Sequence, residues 1–303
     1  MKKKNSLRNL SGSYKEAALF LLPFLVFLIV FIIYPVINVF LISFKDNYNH
    51  LRGTFDSWSL DNYRKVLSDE KFRSALKNTI IYVIFTVPSS TIIAIFFANL
   101  LNKKLKGIAF FQTAFFLPMV TSVTAVGLIW RFMYNQNYGL LNFILSKFGI
   151  EKIGWVVDSK WSIAALIIFG IWNILPFTII LLISGLQNIN PVYYTAAKVD
   201  GAKGSKIFFR ITLPLLSPTV FLVCIINTIS CFKVFSELFP LFYGKPGPYY
   251  NLYTVVYYIR YAMMEKRKYG TASAAAMIFF LFVLIFTLLQ LRLRKKMHIR
   301  GLK

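Results

Sequence analysis

Residues 193–218 read YYTAAKVDGAKGSKIFFRITLPLLSP, a run of Ala, Gly, Lys and Pro with a single acid, set between long apolar stretches. Its local chemistry predicts two short helices. Asn190 is placed to cap the first, and Pro191 suits the first helical position, where no N–H is needed. Val192, Ala196 and Val199 then share one face. Gly201 falls where a helix ends in the left-handed conformation. Ser205 is a candidate second cap, Ile207, Phe208 and Ile211 make a new apolar face, and Leu213–Pro214 predicts a break before the next apolar run. The segment reads helix, glycine turn, helix, proline exit. An ordinary loop with a basic face is the plainer alternative.

Outward from this stretch the chain is greasy. Of its 303 residues 57% are hydrophobic and only 15% charged, against about 25% charge in a soluble domain. A membrane-crossing helix needs about 20 apolar residues. Uncharged runs predict six such helices, at 18–42, 78–101, 108–132, 161–184, 212–234 and 271–292. The first follows Lys2, Lys3, Lys4 and Arg8 as a signal peptide would, but its apolar run is too long for one and no small-residue cleavage site follows, so a retained helix is expected. No soluble domain is left over.

Positive loops stay on the cytoplasmic side. Placing both termini inside puts there the basic segments 2–15, 103–106, 198–210 and 292–303, with Glu16 and Asp200 as their acids. The net charge of +24 then belongs to loops facing lipid headgroups and calls for no nucleic acid. Leu60–Lys77 predicts short amphipathic helices, with Leu60, Tyr63 and Leu67 as one stripe, Phe72 and Leu76 as another, and Asp61 as a cap. Trp155, Trp161 and the tyrosines of 249–261 suit an aromatic interface belt, or in the tyrosines' case a sugar-stacking surface. Cys224 and Cys231 lie two helical turns apart, too far for a disulfide. His50 and His298 have no ligand cluster beside them, so no metal is expected. No nucleotide-binding loop, nucleophile elbow or zinc signature occurs.

The stretch at 193–218 resembles the EAA loop of the membrane subunits of binding-protein-dependent ABC importers, whose pattern is Glu-Ala-Ala, a following Gly, and Ile-x-Leu-Pro. Thr195-Ala196-Ala197, Asp200-Gly201-Ala202 and Ile211-Thr212-Leu213-Pro214 stand at those positions, with Thr195 replacing the usual Glu. ALFLLPFLVFLIVFIIYPVINVFLISF at 18–44, NYRKVL and ALKNTIIY within 62–82, Trp172 with Pro176, GLQNINP at 185–191 and Gly244-Lys245-Pro246 extend the likeness over nearly the whole chain, toward sugar importers and the larger maltose permease component. The resemblance implies an all-α polytopic membrane protein of type I importer architecture, multi-pass in a bacterial-type cytoplasmic membrane, with 190–214 as its cytoplasmic coupling loop. It implies partners too: a second homologous permease, two ABC ATPase subunits that bind the ATP and Mg, an extracytoplasmic solute-binding protein, and membrane lipid. The chain itself then needs no cofactor and is no enzyme. With Thr195 in place of Glu, docking is expected to rest on shape, through Ala196, Ala197, Gly201 and Phe208.

Polar residues within spans are the default candidates for a solute path. Trp172, Asn173 and Thr178 lie in one, and Asn227, Thr228, Ser230 and Lys233 in another. Neutral amides beside aromatic rings suit a sugar, and the same amides also serve as glue between helices. Lys233 can instead pair with Glu237, four residues on. The family resemblance places solute contacts at Gly170, Asn173, Ile174, Phe177, Asn227, Cys231 and Val234. Carbohydrate import, with an oligosaccharide as cargo, is the expected function. A non-sugar solute such as glycerol phosphate would use the same machinery. A stand-alone secondary transporter would show membrane carboxylates or an inverted repeat, and only Glu237 sits near a span.

Overall fold

Apolar runs in a membrane must satisfy every backbone polar group internally, which leaves helices as the simplest solution. The computed structural model describes residues 14–102 and 108–300. Its regular structure there is helical, apart from the isolated bridges Lys45–Trp58 and Asn49–Thr54. The helices are α1 (Tyr14–Leu28), α2 (Tyr34–Ser43), α3 (Asp61–Ser68), α4 (Glu70–Leu101), α5 (Ile108–Phe116), α6 (Val123–Met133), α7 (Leu140–Ser146), α8 (Ser159–Gln187), α9 (Pro191–Val199), α10 (Gly204–Ile207), α11 (Leu213–Phe232), α12 (Leu238–Leu241), α13 (Val255–Arg260) and α14 (Tyr269–Arg300). Ala17–Ser43, Glu70–Leu101, Ser159–Gln187, Gly204–Phe232 and Tyr269–Leu293 are long and apolar enough to cross a membrane. The expected uninterrupted helix at 108–132 is instead α5 and α6, joined through a 3₁₀ turn at Leu117–Val120. Pro118 supplies no N–H to the preceding turn there. The basic loop 103–106 and the N-terminal lysines lie outside the described residues.

The expected proline break at Leu213–Pro214 is absent. The chain passes from α10 through a π turn (Phe208–Thr212) straight into α11, with the Leu213 N–H reaching the Phe208 carbonyl. An identical device joins α1 to α2: a π turn at Ile29–Ile33, the Tyr34 N–H bonded to Ile29, then Pro35. Widening the turn just before a residue without an N–H keeps each helix running past its proline.

The chain divides into two compact units. One comprises residues 1–66 and 262–278. Within it α1 and α2 form an apolar rod of which Ser43 is the buried residue of α2. α3 turns Asn62 and Val66 inward. Of the stripe read as Leu60, Tyr63 and Leu67, Tyr63 is half-buried while Leu60 and Leu67 are exposed. The reason is polar: the Asn62 amide donates to the carbonyls of Ser43 and Lys45, which fixes the rotation of α3. Asp61 is the first helical residue and pairs with Arg64, while the Ser59 hydroxyl accepts the Asp61 N–H.

The other unit comprises residues 67–261 and 279–303. α4 and α8 pack along much of their lengths, and α11 packs against both. Ala94, Ala98, Ile179, Leu182, Leu216 and Val223 form the core of this contact. Small residues let membrane helices approach closely. At Gly185 a methyl group would lie 2.6 Å from the Thr219 hydroxyl. Hydroxyls inside these helices bond back to the previous turn, as Thr91 does to Val87 and Thr178 to Ile174.

The far end of this unit is closed by the segment 246–261. The Asn78 amide donates to the carbonyls of Asn251 and Tyr253, and the Thr79 hydroxyl accepts the Val255 N–H. Asn251 in turn donates to Ser159 and Ser162 of α8. Tyr253, Tyr257 and Tyr258 are thereby buried and form no interface belt, although Tyr249 and Tyr250 are exposed. Trp155 is also buried, with its indole N–H donating to Asn142 and its ring against Tyr134 and Trp161. For Tyr258 and Trp155 the polar group of the ring is itself bonded inward, to Asp69 and to Asn142.

Candidate functional site

The Asn190 side chain accepts the Val192 N–H and starts α9, with Pro191 in its first turn. At the other end Gly201 sits at φ +69°. Its N–H bonds to Lys198 at 3.0 Å, and the Ala202 N–H bonds to Ala197 at 2.9 Å. These two bonds complete a Schellman closure, so the last carbonyls of α9 are satisfied within the chain. Lys203, and not Ser205, caps α10, and it does so without a side-chain bond. A Lys side chain offers no acceptor, and Ser205 already lies inside the helix.

This closed loop turns apolar surface outward. Ala197 is buried, but Val192 is 66% exposed, Tyr193 53% and Val199 83%. Thr195 and Ala196 are exposed as well. The Thr195 hydroxyl donates to the Pro191 carbonyl at 3.3 Å, so its polar group is engaged by its own helix. Asp200 is exposed, closes α9 through its backbone, and has no ion pair among the described residues. Phe208 packs edge-on against Phe209, and both line a groove of about 770 Å³ shared with Ile92, Phe96, Tyr194 and Leu213. Pro214 is exposed beside it and Ala202 is half-buried. The coupling residues named from sequence thus gather at one end of α4 and α11.

The polar residues of the spans do not share one environment. Asn227 is buried and its amide donates to the Thr178 hydroxyl at 2.9 Å, linking α11 to α8. Thr228 accepts from Gln290 of α14 at 3.1 Å. Gln290 carried no signal in the apolar run around it. Trp172 is half-buried against Trp130 and Phe169. Cys231 is buried, and Gly170 faces the ring of Tyr82, where a side chain would collide. Asn173 is half-buried and Phe177 is 37% exposed, so these two retain accessible surface. The Lys233–Glu237 pair does not form. α11 ends at Phe232, which removes the helical spacing, and the Glu237 carboxylate accepts the Phe235 N–H instead.

Comparison with known proteins places this geometry in context. The family described as binding-protein-dependent transport system inner membrane component matches residues 67–299. The trehalose/maltose transport system permease protein MalF of Thermococcus litoralis is 33% identical over 282 residues, covering 92% of this chain and 94% of that protein. The arabinooligosaccharides transport system permease protein AraP of Bacillus subtilis is 32% identical over 298 residues, covering 96% and 92%. Among solved structures, a chain of a bacterial alginate ABC transporter, in complex with an alginate pentasaccharide-bound periplasmic protein, superposes with a TM-score of 0.80 at 22% identity, covering 93% of this chain and 94% of that one. That likeness carries the fold.

Proposed function

The chain belongs to the family of binding-protein-dependent transport system inner membrane components, and on that premise we propose that it is a permease subunit of an ATP-driven importer for a carbohydrate, with an oligosaccharide as cargo. The names of the MalF and AraP relatives support the solute class. A binding protein on the outer side hands over the sugar, and a second, similar permease completes the path. Two ATPase subunits bind ATP and Mg and drive the cycle. In this reading α5 and α6 together make the sixth crossing, both termini are cytoplasmic, and the membrane is of the bacterial cytoplasmic type.

One observation carries the coupling role. α9 is closed at both ends by its own bonds, yet presents Val192, Tyr193 and Val199 to the outside. A short helix whose backbone is satisfied and whose apolar face is bare suits insertion into a cleft of a partner. Closure of the ATPases then moves α9 as a rigid body, and α10 and the continuous helix through Pro214 pass that movement into α11. Along the solute path, Asn173 and Phe177 offer an amide and an aromatic face, while Asn227 holds the α8–α11 wall that positions them.

Gly201→Asp tests the coupling role. No atom would obstruct a side chain there, but the φ of +69° disfavours one. The expected result is loss of uptake and weakened co-purification of the ATPase. Full uptake with an intact complex would refute it.

A further inference from the structure

In the unit formed by residues 1–66 and 262–278, a cavity of about 730 Å³ lies between the hairpin after α2, α3 and the start of α14. Lys65, Arg267 and Lys268 line it, with Asn49, His50 and Tyr269, and no acidic residue is among its lining. Lys65 is held at 2.9 Å by Asp46. Arg267 and Lys268 have no ion pair among the described residues. The His50 ring stacks on Tyr269 at 4.9 Å, making a flat wall. α14 begins in the cavity with no acid in its first turn, so its positive end adds to the same field. A half-open cavity lined by two bases without an ion pair among the described residues, a third base held by Asp46, an aromatic wall and amides suits an oxyanion.

The position identifies the source of that anion. The cavity sits where one apolar rod ends, at Ser43, and another begins, at Tyr269. For helices that cross a bilayer this is headgroup level. α2, which leads into the hairpin lining the cavity, exposes Ile37, Phe40 and Leu41 at helical spacing, an apolar track that acyl chains can follow. Met263 and Met264 line the cavity itself and add soft apolar surface. A soluble sugar acid would use the bases but leave this track bare.

We propose that this cavity binds the phosphate headgroup of an anionic phospholipid. Arg267 and Lys268 hold the phosphate, Asn49 and the wall of His50 and Tyr269 meet the rest of the headgroup, and the chains lie along α2. The proposal rests on the membrane placement of the family and not on the identity of the cargo.

The test is lipid retention by the purified importer complex, reconstituted in nanodiscs of phosphatidylglycerol or of phosphatidylcholine, extracted and weighed by native mass spectrometry. The wild type should keep phosphatidylglycerol and release phosphatidylcholine. Arg267→Gln with Lys268→Gln should weaken that retention on the order of tenfold, since two charge-assisted contacts are lost. Lys245→Gln, a basic residue elsewhere, should leave it unchanged. Should the double variant fail to assemble, Lys268→Gln alone should still lower retention, and Arg267→Lys, which keeps the charge, should preserve most of it. Equal retention of both lipids, or undiminished retention in the charge-removing variants, would overturn the proposal. Binding of inorganic phosphate or glycerol phosphate as tight as that of the lipid would reassign the cavity to soluble esters and overturn the lipid assignment. Retention is read without transport, so its failure is separable from failure of the import reading.

Discussion

Two tyrosine pairs in this chain have opposite fates. Tyr257–Tyr258 is buried, whereas Tyr193 of the pair Tyr193–Tyr194 is 53% exposed. Both pairs sit in short helices that neighbour long apolar ones in the chain. The difference lies in what each helix is bonded to. Around α13 the bonds reach across the chain: Tyr258 donates to Asp69 at 2.7 Å, Thr254 to Val234, and Asn78 holds the loop from α4. Around α9 the capping and closing bonds are local, from Asn190 to Gly201 and Ala202. α13 is fastened to its own protein, while α9 is shaped in advance and left bare, as a surface meant for another protein would be.

Substitutions sharpen this contrast by separating stability from transport. The largest loss of stability belongs to Tyr258→Ala, which empties a buried ring site and should cost about 3–5 kcal/mol, read as a lower melting temperature and poor recovery of folded protein. Gly185→Leu comes next. It forces a branched side chain against Thr219 and Leu216, and overpacking of this kind costs about 1–3 kcal/mol.

Tyr258→Phe keeps the ring and removes the bond to Asp69, worth about 1.5 kcal/mol or slightly more for a charged acceptor. Burial raises the Tyr258 phenol above its ordinary 10.0, and the hydrogen bond and charge of Asp69 raise it further. The stability it supplies is therefore complete below pH 10 and is lost as pH climbs through the raised value. An alkaline melting series should show that loss in the wild type and a smaller one in Tyr258→Phe.

Asn227→Ala removes one interhelical bond and should cost about 1 kcal/mol, with uptake per folded molecule little changed. A large fall in uptake without loss of stability would make Asn227 a solute contact instead of a wall.

The legibility of the sequence followed the range of the interactions. The Asn190 cap, the Gly201 turn and the shared face of Val192 and Val199 are set by residues within one or two turns of each other, and they could be read directly; that this face is bare needed the structure. Pro214 misled, because a π turn accommodates a missing N–H as well as a break does, and residue identity does not separate the two. The rotation of α3, the burial of Trp155 and the burial of Tyr258 depend on Asn62, Asn142 and Asp69 finding distant partners. Periodicity alone carries no information on those pairings. The candidate solute path was legible only as a list of polar residues. Their division into Asn227, which holds two helices together, and Asn173 and Phe177, which keep accessible surface, needed the packing of α8 against α11.

The claim that α9 exists for a partner is tested most directly at Ala196, an exposed position on that helix. Ala196→Arg, placed in the assembled importer, should change the melting temperature of the permease by less than the equivalent of about 0.5 kcal/mol. Solute-stimulated ATP hydrolysis and uptake should nevertheless collapse together, with the ATPase dissociating more readily. Normal uptake and hydrolysis with Arg at this position would contradict the account.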